Sequence, residues 1–147
     1  MKIPVMRMRE KLVVRVVSRF FIPFILLFGL YVQFHGDFGP GGGFQAGVIF
    51  AAAFVLYGLV YGLENLQRVV PWLALELGSA LGLLLYGGVG VASLLLGGNF
   101  LDYKVLDSHD PMHGLHLGIL LIEFGVGLTV TASMLAIFYA FAGRRTA

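Results

Sequence analysis

The sequence contains no cysteine and has few charged residues for its length. Without thiols, the chain forms no disulfide and holds no thiolate-ligated zinc or iron–sulfur cluster. Only 12% of its 147 residues are Asp, Glu, Lys or Arg, whereas a soluble domain has about 25%. Hydrophobic residues make up 59%, so too few polar side chains remain to cover a water-exposed surface. The composition therefore indicates a protein embedded in lipid.

Four long apolar segments fill most of the chain. A helix needs about 20 mainly apolar residues to cross a bilayer, and residues 44–63 and 77–96 contain no charge at all. Strand-like alternation of polar and apolar residues is absent, which disfavours a membrane barrel. We therefore predict an all-α integral membrane protein, with a single membrane domain over residues 1–147. Its four transmembrane helices are predicted at about residues 12–34, 44–63, 72–96 and 112–141.

Lys and Arg are distributed unevenly between the predicted loops. Cytoplasmic loops of membrane proteins carry an excess of these residues. With both termini in the cytoplasm, nine of the ten lie on the cytoplasmic side and only Lys104 lies outside. We therefore predict cytoplasmic termini in the cell membrane, with the basic start retained as part of the first helix, since no small-residue cleavage site follows it. The nine cytoplasmic cations would be Lys2, Arg7, Arg9, Lys11, Arg15, Arg19, Arg68, Arg144 and Arg145.

Proline and aspartate mark the predicted helix starts. Pro71 is expected to open the third span, with Trp72 as an interfacial anchor. Asp110 followed by Pro111 is typical of an N-cap and a first helical position, so we expect the fourth span to begin there.

Glycines four residues apart recur in three of the spans. Such pairs let two helix backbones approach closely in lipid. Three helices of one small chain are too few to use all these faces on each other, so we expect some of them to contact other subunits. The pairs are Gly43/Gly47, Gly58/Gly62, Gly78/Gly82 and Gly114/Gly118.

Two carboxylates fall inside predicted spans, where ionisable residues are costly and usually functional. Glu123 lies about 18 Å along the fourth helix from Pro111, which predicts a position near the middle of the bilayer. It is a candidate for a proton or cation relay, and the alternative is a polar contact with a neighbouring helix. Glu76 lies near the start of the third span. We favour a hydrated residue there, or one paired with Arg68 or with another protein chain.

Histidines cluster at the predicted outer side. His113 and His116 share a helix face with Glu123, so the three side chains are a candidate proton path. His35, at the end of the first span, is a further candidate. A metal site from His109, His113 and His116 fits only the spacing, and haem ligation by His35 and His116 is disfavoured because both lie shallow in the spans. We therefore predict no bound metal or cofactor.

The link between the first two spans is rich in glycine. A tight reversal explains part of it, but three successive glycines exceed what a reversal needs. The alternative is that backbone groups near the second helix contact an ion, a water chain or a partner. No Gly-Lys-Ser/Thr follows, so the link is not a phosphate loop. It reads His35-Gly36-Asp37-Phe38-Gly39-Pro40-Gly41-Gly42-Gly43-Phe44-Gln45.

These residues resemble the signature of the MnhB family, one of the small membrane components of the Mrp (Mnh or Pha) multisubunit sodium/proton antiporters. The similarity extends over about residues 12–142. By position, the motif residues are His35, Gly36, Pro40, Gly41, Gly42, Gly43 and Phe44, and Glu123 with the following Phe-Gly-Val matches an acidic family position. Further similarity lies in Gly97-Gly98-Asn99-Phe100-Leu101 and in His109-Asp110-Pro111 with His113-Gly114.

The resemblance implies a small four-helix subunit that works inside a large hetero-oligomer exchanging sodium for protons. Its partners would be other antiporter subunits and membrane lipid, with no nucleic acid, and Na⁺ and H⁺ would be transported rather than held as cofactors. A transporter subunit is not an enzyme, and no nucleophile–base arrangement argues otherwise. Two alternatives stay open: a purely structural scaffold subunit, and the same module in a membrane-bound hydrogenase or related redox-driven pump.

Overall fold

The computed structural model describes residues 11–36 and 41–143, and every regular element within them is helical. Four of the helices are long and apolar enough to cross a membrane. The elements are α1 (Leu12–Gln33), α2 (Gly43–Tyr61), α3 (Leu63–Val69), α4 (Trp72–Leu95), a 3₁₀ helix (Tyr103–Leu106) and α5 (Pro111–Gly143).

The four predicted spans are confirmed, each to within two residues at either end. The short helix α3 and the 3₁₀ helix were not predicted. Gly62, with φ of +99°, separates α2 from α3, a conformation that favours glycine. Both additional helices lie between long apolar segments, where hydropathy carries no signal for so short an element.

The start of α5 confirms the predicted cap. Asp110 Oδ1 accepts hydrogen bonds from the backbone N–H of Met112 at 3.0 Å and of His113 at 3.3 Å. Pro111 is the first residue of the helix. The carboxylate thereby satisfies N–H groups that have no partner within the helix.

The long helices form a row in the order α1, α2, α5, α4. Helix α5 packs against both α2 and α4, whereas α1 packs mainly against α2. We call the end where α1 and α4 finish and α2 and α5 start the loop end, and the opposite end the terminal end. At the terminal end, Tyr139 donates a hydrogen bond to the carbonyl of Val70 at 2.7 Å. The same end holds a buried cluster of Leu66, Leu75, Leu135 and Tyr139.

Most of the paired glycines face this chain itself, and contact of some glycine faces with other subunits stays a prediction. Seven of the eight paired glycines face atoms of this chain, because α5 has one neighbour on each side and the 3₁₀ helix covers its start. A Cβ on Gly47 would lie 2.7 Å from the carbonyl oxygen of Gly127, and one on Gly82 would lie 2.5 Å from that of Gly125. A Cβ on Gly114 would lie 2.9 Å from the carbonyl oxygen of Tyr103. Among these eight, Gly62 alone has open space around it.

Candidate functional site

Glu123 lies where α5 passes the link between α1 and α2. Its carboxylate occupies the space that a Cβ on Gly36 would need, and its Oε1 lies 3.0 Å from the place of a Cβ on Gly42. The structure therefore brings together the two features that the sequence singled out separately, the glycine-rich link and the acidic residue of the fourth span.

Each glycine of the link has a different steric reason to lack a side chain. Gly42 has φ of +123°, in the region that favours glycine. A Cβ on Gly41 would lie 2.8 Å from the carbonyl oxygen of Val32. Gly43 lies directly against the backbone of Glu123, so that any side chain would overlap it. The three successive glycines thus allow two backbones and one carboxylate to meet in a small space.

The start of α2 gives this space a positive electrostatic potential. Gly42 is the N-cap of α2, and the first N–H groups of a helix have no partner within it. The helix macrodipole adds about half a positive charge at this end, which stabilises an adjacent anion by about 0.3–1 kcal/mol. The Glu123 carboxylate therefore lies beside backbone groups that can interact with an anion or a polar group.

The start of α2 defines the level of Glu123 along the bundle. Glu123 is level with Gly43, the first residue of α2, and the 19 residues of α2 span about 28 Å, close to the ~30 Å hydrocarbon core. Helix α5 has 33 residues, or about 50 Å, and extends three turns beyond the start of α2. The carboxylate therefore lies towards the loop end of α2, and its depth in a bilayer stays a prediction.

Two polar residues beside the site were missed in the sequence. The side chain of Gln33, which is 7% exposed, places Oε1 2.6 Å from the position of a Cβ on Gly127. Thr131 donates hydrogen bonds to the carbonyls of Gly127 at 2.7 Å and of Gly47 at 3.1 Å. Both line a cleft of about 220 Å³ between α1, α2 and α5. A glutamine within an apolar span was the signal that could have identified Gln33.

The histidines lie at the loop end. His113 is exposed, and its Nδ1 lies 2.9 Å from Oδ2 of Asp107. This hydrogen bond, together with the backbone N–H groups of His109 and Asp110, holds the pKa of the Asp107 carboxyl below its usual value. His116 is also exposed, because α2 begins only at the level of Glu123.

His35, the candidate histidine outside α5, is exposed just after the end of α1. Its ring packs against Tyr31 with centroids 4.1 Å apart. Within the described part of the chain, no three His, Asp or Glu side chains come together as ligands for one metal ion.

Glu76 lies at the terminal end, far along α4 from the glycine link. Its Oε1 accepts a hydrogen bond from the indole N–H of Trp72 at 2.6 Å. Glu76 and Arg68 are both among the described residues, and they form no ion pair with each other. The indole takes the place of that partner because it stands one helical turn before the carboxylate.

The remaining motif residues occupy the start of α2 and the link. Phe44 is 58% exposed on the surface of α2, and packs into no core of the described chain. Pro40 lies outside the described residues, as do the terminal cations Lys2, Arg7, Arg9, Arg144 and Arg145.

Comparison with known proteins identifies the family of this chain. Residues 13–136 match the family described as "Domain related to MnhB subunit of Na+/H+ antiporter". The chain is 32% identical over 136 residues to a Staphylococcus haemolyticus protein provisionally named antiporter subunit mnhB2, a match that covers 91% of this chain and 96% of the relative. A Staphylococcus aureus protein of the same name is 29% identical over the same lengths. The matched segment contains the glycine link and Glu123 and covers most of the four long helices. The chain therefore belongs to the MnhB family.

Proposed function

We propose that this chain is a membrane subunit of a multisubunit monovalent cation/proton antiporter, in which Glu123 takes part in the passage of Na⁺ or H⁺. The observation that carries the proposal is the enclosure of the Glu123 carboxylate by Gly36 and Gly42 in a member of the MnhB family. A carboxylate within a membrane-spanning helix is costly to keep, and such residues mark ion and proton pathways.

The chemistry of the site suits a carrier of small cations. A carboxylate binds Na⁺ or a proton in exchange, and the start of α2 lies beside it. Gln33 supplies an amide oxygen one turn away from the acid along α5. His35, His113 and His116 lie at the same end and would deliver protons from the aqueous side. Glu76, at the opposite end, would serve the other side.

The orientation that we propose places both termini in the cytoplasm of a cell whose plasma membrane holds the complex. Arg15, Arg19 and Arg68 lie at the terminal end, whereas Lys104 lies at the loop end, which supports the positive-inside argument. The glycine link and Glu123 would then open towards the outside.

Other antiporter subunits are the proposed partners. The support is the row of helices, because α1 is covered mainly on the side of α2 and keeps large apolar side chains exposed, among them Phe20, Phe24 and Phe28. The alternative host complex is a membrane-bound hydrogenase or another redox-driven pump. The subunits that co-purify with the chain distinguish this host from an antiporter.

A structural role for Glu123 is the second candidate, and the close fit of its carboxylate to Gly36 favours it specifically. In that role the acid fixes α5 to the α1–α2 link and carries no ion. The two roles differ in what happens when the shape of the side chain is kept and its charge is removed.

The test is Glu123→Gln in the assembled complex, with Glu64→Gln on the exposed surface of α3 as the matched control. We expect Na⁺-dependent proton movement in everted vesicles to fall to background in Glu123→Gln while the complex purifies intact. The control should behave as wild type. Full antiport in Glu123→Gln would refute the ion-path role, and dissociation of the complex would favour the structural one.

A further inference from the structure

A cleft at the terminal end of the row, outside the site described above, contains two arginines. Arg15 and Arg19 stand one turn apart on α1, and Tyr61 of α2 faces them. Together with Leu12 and Val16 they line a cavity of about 220 Å³. Like charges four residues apart on a helix repel one another, so this arrangement costs stability unless an anion lies between them.

The tyrosines of α2 hold the arginine side of the cleft in place. The hydroxyl of Tyr61 donates a hydrogen bond to the carbonyl of Arg15 at 3.0 Å. The guanidinium carbon of Arg15 lies 6.0 Å from the centroid of the Tyr61 ring, and Tyr57 packs behind that ring with centroids 4.8 Å apart. Arg15 is an exposed residue, and its guanidinium lies over the Tyr61 ring of α2.

No acidic side chain neutralises these two arginines within the described residues, where the ion pair His113–Asp107 lies at the other end of the molecule. Arg19 is the eighth residue of α1, about 10 Å along the helix from Leu12. A guanidinium without a counter-ion at this position is costly unless it reaches the headgroup region, where the phosphate of a lipid is the available anion.

A second cavity continues from the first along the apolar part of α1. It measures about 330 Å³ and is lined by Arg19 and Tyr61, which belong to both cavities, and by Ile22, Pro23 and Tyr57. The combined cleft thus has a cationic end and an aromatic, apolar end. That order matches a lipid whose phosphate faces the guanidinium groups and whose acyl chain follows the helix.

We propose that this cleft is a binding site for one anionic phospholipid, held by Arg15 and Arg19 through its phosphate. Guanidinium groups bind phosphate in bidentate fashion, and basic pockets between membrane helices on the cytoplasmic side favour anionic headgroups. The charge complementarity selects the lipid over an apolar partner helix, which would leave two cations unneutralised.

The test uses the purified full complex, stripped of lipid and titrated with phosphatidylglycerol or with phosphatidylcholine of the same acyl chains, with bound lipid counted by native mass spectrometry. Wild type should retain phosphatidylglycerol preferentially. Arg15→Gln and Arg19→Gln should each weaken its binding about fivefold, as expected for one basic residue at an anionic surface. Arg68→Gln, an exposed arginine on α3 at the same end, is the matched control and should leave binding unchanged.

Several results would overturn the proposal. Equal retention of the two lipids by the wild-type complex would refute the proposal. This comparison needs no variant, so its outcome does not depend on whether the variants fold. Equal weakening by Arg68→Gln would show general surface charge. Displacement of phosphatidylglycerol by an equal concentration of sodium phosphate would show an anion site that does not use the acyl chain. Loss of a subunit with unchanged lipid retention would show that a protein acid occupies the cleft.

Discussion

The Glu123 carboxylate fits against the α1–α2 link because the residues facing it have no side chains. Two kinds of constraint act on these glycines. Gly42 needs its positive φ, whereas Gly36 is not among the glycines with positive φ and is required only for space. A substitution at Gly36 therefore isolates the steric match between the link and the acid from backbone strain.

We predict that Gly36→Ala displaces the Glu123 carboxylate, because a methyl group would occupy its place. Overpacking of this kind costs about 1–3 kcal/mol, and antiport should fall with the loss of fit. Thermal unfolding of the purified complex and vesicle antiport measure the two effects. The double variant Gly36→Ala with Glu123→Asp, whose side chain is one methylene shorter, should recover part of both. Wild-type behaviour of the single variant would contradict the described contact.

The prediction of individual residues from the sequence succeeded where the chemistry is local. Asp110 caps α5 because the cap and the N–H groups it satisfies are neighbours in the chain. The contact between Gly36 and Glu123 could not be predicted, since it joins the link between α1 and α2 to the interior of α5, and packing sets the register of these helices. The level of Glu123 relative to α2 was unpredictable for the same reason, because helix length alone does not show where a neighbouring helix starts.

Helix α5 is the element on which the others depend. It contacts α2 through Gly47 and Gly127 and contacts α4 through Gly82 and Gly125, so that glycines line both of its interfaces. The four long helices were predicted from hydropathy, and two of their starts were predicted from Pro71 and from Asp110 with Pro111. The helix faces that pack against one another could not be predicted, because small-residue spacing indicates a close contact without identifying the partner helix.

We expect Gly82→Ala to separate α4 from α5, because its Cβ would lie 2.5 Å from the carbonyl oxygen of Gly125, a backbone atom that cannot rotate away. The cost should be about 1–3 kcal/mol. Gly87→Ala on the same helix is the control, since a Cβ there meets no atom within 4 Å. The control should be neutral or gain up to about 1 kcal/mol from helix propensity. Equal melting temperatures for the two variants would rule out the tight α4–α5 interface.

The whole molecule has an uneven distribution of charge along its long axis. The terminal end carries Arg15, Arg19 and Arg68, and the loop end carries the exposed histidines and Asp107. Such asymmetry fixes how a chain inserts relative to the cytoplasm. The fold alone does not reveal this orientation, because a row of helices is equally stable either way up in an apolar slab.

We predict that a cysteine at Ser108 reacts with a membrane-impermeant maleimide added to intact cells, whereas one at Gln67 reacts only after the cells are opened. Both positions are exposed, at the loop end and at the terminal end respectively. The chain has no cysteine of its own, so each variant carries a single label site. The reverse pattern would invert the proposed topology.

The hydrogen bond from Thr131 to the carbonyl of Gly47 has a consequence for motion. It joins two parallel helices whose backbones already touch at Gly43 and Gly127. Sliding one past the other would break a polar contact in a medium that offers no water to replace it. Helices α2 and α5 should therefore move as one rigid body, and any conformational cycle in this chain must hinge at α1 or α4.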